Sequence, residues 1–237
     1  MRYSTLHRIQ RIFMLLGLII LLTIVVVVVR AVDVPGMDAS AVGAQRLWAR
    51  LVQRPHVALI SGHAAYDSGA VCTDVTGAVT LTEAQVNAAV TRRVAQQLRR
   101  RGVQVSVLDE HDARLVDLRV DALLSLHSDS CIDESGYKAA HRANSPIRAA
   151  EGRFLQCIDR YYPAATDLAH HPNTITHDMV GYYAFNRIDP ATPAVILEMG
   201  FLGGDQALLV NEPGRVASGI ARSVVCFVNN EPPETES

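Results

Sequence analysis

The 237-residue sequence has no surplus of positive charge: 22 lysines and arginines stand against 24 acids, a formal net charge of −2. Most of the chain is more acidic than that. Arg2, Arg8, Arg11 and Arg30, with no acid, fall in the first 30 residues, so residues 31–237 carry 18 basic and 24 acidic groups and are formally −6. A nucleic-acid binder shows a clustered excess of the opposite sign, and that class of partner is excluded. No internal repeat is visible, which removes solenoids and arrays. Charged residues are sparse at 19% and aromatics at 5%, yet 49% hydrophobic residues rule out a disordered or low-complexity chain. There is no His-Glu-x-x-His, so the helical metalloprotease arrangement is absent. The length suits one domain with an appendage.

One long apolar run is present: residues 12–29 are 18 positions without a charge. A helix of that length spans roughly 27 Å, enough for the hydrocarbon core of a bilayer, and a helix is the only single span that satisfies its own backbone. Three arginines precede the run and Arg30 alone follows it. The positive-inside bias then makes residues 1–11 a cytoplasmic arm and 12–29 a transmembrane anchor, with the rest outside. A cleaved signal peptide is the alternative, although its apolar stretch is usually about 7–15 residues. The triplet Ala39-Ser40-Ala41 also stands late for a cleavage site. Either reading exports the remainder. Residues 30–55 read as a tether, broken at Pro35-Gly36, with a short amphipathic helix carrying Ala44, Leu47, Trp48, Leu51 and Val52 on one side. Residues 56–229 form the expected domain, and 230–237 a disordered tail.

Within the domain, apolar runs alternate with helical patterns. Val57-Ala58-Leu59-Ile60, Ala122-Leu123-Leu124-Ser125-Leu126 and Ala194-Val195-Ile196-Leu197 predict buried strands, and Val103, Val105 and Val107 alternate as another. Thr82 can cap a helix with Val86, Val90, Val94 and Leu98 on its apolar side, ending at Gly102. Leu115, Leu118 and Val120 suggest a short helix. Ser145-Pro146 opens another helix with Ile147, Ala150, Phe154, Ile158 and Tyr161 on one face, and Val216, Ile220, Val224 and Phe227 give a closing one. The pattern predicts an α/β sheet with helices on both faces. Apart from the helix opening at Ser145-Pro146, residues 141–185, rich in His and Tyr, are the least readable section.

Of nine histidines, His63 and His127 stand apart because each follows an apolar strand, where an open α/β sheet gathers its ligands. Two imidazoles on one rim invite a metal, which needs a third ligand and an open position for catalysis. Glu83, at the first turn of the helix returning from the His63 loop, is the best third ligand, though the helix dipole alone favours an acid there by about 0.3–1 kcal/mol. Glu198 closes the strand Ala194-Val195-Ile196-Leu197, where a charge is costly to bury without a partner. His–Glu–His suits zinc, and a separate carboxylate suits a general base for water. His177 and Arg187 are candidate substrate contacts, though each could equally be an ordinary loop or surface residue.

Ser61-Gly62-His63 with Asp67-Ser68-Gly69-Ala70 resembles the opening motif of the zinc-dependent N-acetylmuramoyl-L-alanine amidases. Leu81-Thr82-Glu83 with Asn87 resembles their second motif, Ser125-Leu126-His127 their third, and Pro193 through Glu198-Met199-Gly200-Phe201-Leu202 their fourth. The resemblance implies a mixed, mostly parallel sheet of about six strands flanked by helices. It also implies one zinc held by His63, Glu83 and His127, with Glu198 serving catalysis. The expected reaction cuts the amide between the lactyl group of N-acetylmuramic acid and L-alanine in peptidoglycan. Two departures concern the cleft: Ala64-Ala65 where the family often has two glycines, and Asp129 where it often has Asn. In some relatives an extra helix near residues 141–185 covers the cleft. The alternatives are a zinc peptidase cutting within the stem peptide and a catalytically silent wall-binding domain. A regulatory protein partner is left open.

Cys72, Cys131, Cys157 and Cys226 all lie in the exported part, and four cysteines allow three connectivities. If His63 and His127 share a zinc, the loops that follow them are neighbours, which predicts Cys72–Cys131 and leaves Cys157–Cys226. The alternative is four small buried hydrophobes.

Overall fold

A computed structural model describes residues 12–25 and 54–231. The chain divides into two units, Met1–Gln53 and Arg54–Ser237. In the first, residues 12–25 are helical with every side chain exposed. Among the described residues no helix is long and apolar enough to cross a membrane. The arm 1–11, the end of the apolar run at 26–29, tether residues 30–53 and tail residues 232–237 lie outside the described residues.

The second unit is built on a five-stranded sheet. Its strands are β1 (His56–Ser61), β4 (Gln104–Leu108), β5 (Ala122–Asp129), β6 (Lys138–Ala140) and β7 (Ala194–Phe201), in the order β4-β1-β5-β7-β6. β1, β4, β5 and β7 are parallel, and β6 runs antiparallel to β7 at the edge. Val57, Ala58, Leu59 and Ile60 are wholly buried, as are Leu123, Leu124 and Leu126. These continuous runs mark strands covered on both sides, and each Leu or Ile buried this fully contributes about 1.5–3 kcal/mol. The main sheet has five strands rather than the expected six or so. β2 (Val71–Thr73) and β3 (Val79–Thr82) form a separate antiparallel ribbon in the connection after β1.

The three long helices are α1 (Glu83–Arg100), α2 (Arg148–Thr166) and α4 (Pro213–Val228). All three share one face, where Val90, Val94, Phe154, Ile158, Ile220 and Val224 meet Val57, Leu59, Leu124, Leu126, Val195 and Leu197. The opposite face, with Ala58, Ile60, Leu123, Ala194 and Ile196, packs instead against Leu115, Val120, Met179, Tyr182, Phe185 and Ile188. Those residues belong to connections holding only short turns of helix: Ala113–Leu115, α3 (His177–Val180) and Tyr183–Asn186. Helices thus stand on both faces as expected, long on one face and reduced to short turns on the other. The link from β4 to β5 forms only the turn Ala113–Leu115, and Pro172, Gly181, Pro190 and Pro193 break the link from α2 to β7.

Individual elements follow their local chemistry. Thr82 caps α1 in a capping box: its Oγ1 accepts the Gln85 N–H, and Gln85 Oε1 accepts the Thr82 N–H. That box fixes Glu83 as the first helical residue. α2 begins at Arg148, three residues after Ser145, and its buried tyrosine is Tyr162 rather than Tyr161. Tyr161 instead donates from its hydroxyl to Glu231. Both disulfides have the expected pairing, Cys72–Cys131 with Cα atoms 5.5 Å apart and Cys157–Cys226 at 5.9 Å.

Candidate metal centre and active site

The strand order explains where the site lies. From β1 the chain crosses through α1 to β4 on one side, then returns to lay β5 on the other side of β1. Order therefore reverses between β1 and β5, and a crevice opens at their carboxyl ends. His63 leaves β1 and His127 sits near the end of β5, on the two sides of that crevice.

Glu83 bridges the two imidazoles. Its Oε2 is 3.2 Å from His63 Nε2 and its Oε1 is 3.0 Å from His127 Nδ1. One ligand atom from each of the three side chains lies within 4.8 Å of the others. Glu83 is only 6% exposed and His127 7%. The Ala70 N–H donates to Glu83 Oε2, while the Ser128 N–H and Asn87 Nδ2 donate to Oε1. Asn87 also donates to the Gly62 carbonyl, tying the first loop to the helix. His63 Nδ1 faces Asp67 Oδ1 at 2.5 Å.

Close packing holds these groups in place. A Cβ on Gly62 would lie 2.6 Å from His127 Nε2 and Cε1, and one on Gly69 would lie 2.5 Å from Glu83 Oε2. His63 and Ala65 both hold positive φ, 64° and 56°, although neither is glycine. Such strain persists only where the surroundings over-determine the backbone. Ala65 stands where glycine would be free of it.

The electrostatics favour a cation. Burial opposes ionisation of Glu83, but the hydrogen bonds from His127 and His63 outweigh it and hold the carboxyl far below its ordinary range. Burial likewise opposes protonation of His127, yet Glu110 and Glu83 raise its pKa to about 10. His63 is raised chiefly by Glu83. A pocket that stabilises positive charge this strongly also attracts a divalent cation, and two imidazoles with one carboxylate are donors that suit zinc.

Glu198 lies in register beside His127 on β5 and Lys138 on β6. Directly paired residues share a sheet face, so its carboxylate stands next to the cluster. Part of the residue reaches solvent, but Oε2 is sealed and meets no hydrogen-bond partner. Burial pushes its pKa up to about 7, with His127 opposing the rise and Glu83 adding to it. Asp129, the departure noted above, pairs with Lys138 at 2.5 Å, and Lys138 Nζ also donates to the Thr174 carbonyl.

Two residues escape the sequence reading. Glu110, 5% exposed, accepts the His63 N–H at 2.7 Å through Oε2 and places that oxygen 3.5 Å from His127 Nε2. Its position two residues beyond β4 on the same rim was the available signal. Tyr182 donates to Glu110 Oε1 at 2.7 Å from a segment without periodicity. His177 and Arg187 are not brought into the cluster: His177 lines a separate pocket with Arg142 and Phe185, and the Arg187 carbonyl accepts the Asp117 N–H. α2, the long helix of residues 141–185, packs on the other face of the sheet and does not cover the cluster.

Solved amidase structures share this fold. The CwlD amidase from Clostridioides difficile, solved in complex with the GerS lipoprotein, is 15% identical with a TM-score of 0.56, covering 75% of this chain and 100% of its own. An N-acetylmuramoyl-L-alanine amidase from Clostridium difficile 630 is 16% identical at 0.58, covering 76% and 99%. Ami1 from Mycobacterium smegmatis is 18% identical at 0.58, covering 75% and 98%. At such identities the likeness shows the fold alone. No curated protein sequence matches the chain. The family model for N-acetylmuramoyl-L-alanine amidase matches residues 57–225, which include all four motifs. The chain belongs to that family of peptidoglycan amidases.

Proposed function

We propose that His63, Glu83 and His127 hold one zinc ion, and that Glu198 is the general base in cutting the amide between the N-acetylmuramic acid lactyl group and L-alanine. The observation that carries this reading is the convergence of three ligand atoms beside a carboxylate whose Oε2 has no partner. The family is generally zinc-dependent. Zinc supplies Lewis-acid polarisation of the scissile carbonyl and makes water a stronger acid. Glu198 takes the proton of the attacking water on its carboxylate and returns it to the departing amine of L-alanine, so the base is regenerated. A pKa near neutrality suits both transfers. Asn87, Ser128 and the Ala70 N–H keep the Glu83 oxygens aimed at the imidazoles.

The apolar run 12–29 with its flanking arginines supports anchoring in a membrane, amino terminus inside, with the domain of residues 56–229 facing the wall. Secretion after cleavage is the other outcome. The CwlD–GerS complex motivates a search for an exported protein partner. Digestion of purified peptidoglycan followed by mass spectrometry tests the activity: release of intact stem peptides beginning with L-alanine supports the reading. Cuts within the stem favour a zinc peptidase, and zinc binding with no product favours a silent wall-binding domain.

A further inference from the structure

Each imidazole of the cluster has one nitrogen towards Glu83 and the other towards a second carboxylate. For His63, Nε2 faces Glu83 and Nδ1 faces Asp67. For His127 the order is reversed: Nδ1 faces Glu83 at 3.0 Å and Nε2 faces Glu110 at 3.5 Å. The His127 Nε2 atom is buried and forms no hydrogen bond, so Glu110 is the acceptor positioned for its proton. A deprotonated Nε2 would point a lone pair at an anion, which is unfavourable. At 3.5 Å the contact is longer than a formed hydrogen bond.

Glu110 is built in from several directions. Its own N–H donates to the Ala64 carbonyl, and its Oε2 accepts the His63 N–H. It is therefore bonded to the loop that delivers the first ligand. Its Oε1 accepts the Tyr182 hydroxyl, whose single proton is thereby used, so Ser125 Oγ must be the donor in its 3.0 Å contact with Tyr182. Ser125 lies two residues before His127 on β5 and shares its face. The Tyr182 ring also stands edge-on to the His127 ring, with centroids 5.7 Å apart.

We propose that Glu110 is a positioning residue for the metal centre: it accepts the Nε2 proton of His127, which frees Nδ1 to ligate, and Tyr182 holds Glu110 in place. The two ligand imidazoles then carry opposite tautomers, N–H at Nδ1 in His63 and at Nε2 in His127. Carboxylates in this role raise ligand basicity and fix ring orientation, and losing one typically costs about 10–100-fold in metal affinity. The proposal rests on the zinc-site reading above, and the experiment separates the two.

The full-length chain in mild detergent, labelled with nitrogen-15 at histidine and loaded with zinc, is to be examined by long-range proton–nitrogen NMR. A proton on Nε2 of His127 and on Nδ1 of His63 is expected; a proton on Nδ1 of His127 overturns the proposal, and this measurement needs no variant. Zinc affinity is then measured by chelator competition for wild type, Glu110→Ala, Glu110→Gln and Tyr182→Phe. The expected loss is about 10–100-fold for Glu110→Ala, less for Glu110→Gln, whose amide oxygen still accepts, and less again for Tyr182→Phe. A Glu110→Ala chain that melts earlier but binds zinc like wild type refutes the proposal while leaving the zinc site intact. Failure of the wild-type chain to bind zinc overturns both.

Discussion

Replacing Gly62 by Ala adds one methyl group behind the His127 ring, and the geometry sets how much must move. The new Cβ would stand 2.6 Å from Cε1 and Nε2 and 2.7 Å from Cδ2, where ordinary contact begins at 3.4 Å. The ring would have to retreat by about 0.8 Å. It has little room to do so, because Nδ1 is tied to Glu83, Nε2 faces Glu110 and the Tyr182 ring stands against it. Gly62 does not hold positive φ, so the effect is steric rather than a backbone penalty. Overpacking of this kind costs about 1–3 kcal/mol of stability, which leaves the chain folded. Displacement of a ligand by close to 1 Å costs about 10²-fold in activity. The assay combines a thermal melt, zinc affinity by chelator competition and turnover of purified peptidoglycan. A Gly62→Ala chain with wild-type zinc affinity and turnover would refute the placement of His127 against the loop after β1.

Glu198→Gln is expected to keep zinc while hydrolysis falls about 10²–10⁴-fold, whereas His127→Ala loses the metal as well; a Gln variant that loses zinc would instead make Glu198 a ligand. In chelator-treated protein, burial raises the Glu198 carboxyl from 4.5 to about 7, so the native state holds this proton more tightly than the unfolded chain does. The stability of wild type relative to Glu198→Gln should therefore fall as pH rises from about 4.5 through about 7, and a difference independent of pH in denaturant melts would contradict the burial. Removing Cys72–Cys131 as a double Ser variant opens a link spanning 59 residues, worth about 4 kcal/mol by chain entropy. A lower melting temperature is expected, together with weaker zinc binding because the ribbon no longer braces the His63 loop, and an unchanged melt would count against it.

Much of this protein was legible because its signals are local. Four apolar residues before Ser61 make a strand buried on both sides whatever its neighbours are, and Thr82 with Gln85 makes a helix start by hydrogen bonds within four residues. The placement of His63, His127 and Glu198 at strand ends follows from those strands alone. The disulfide pairing needed one step more, a zinc shared by His63 and His127 that makes their loops neighbours.

What the sequence by itself determined is therefore the four parallel strands, the three long helices, the four motif side chains and their common rim. Tertiary structure alone decided the order β4-β1-β5-β7-β6, the detachment of β2 and β3 as a ribbon, and the gathering of all three long helices on one face. It also decided that Glu110 and Tyr182, 72 residues apart, would meet beside His127. Apolar periodicity records which residues leave water, but not which of several equally apolar surfaces receives them. A buried carboxylate is written in the chain as an ordinary acid, and only the groups that surround it after folding set its partners, its proton affinity and its use.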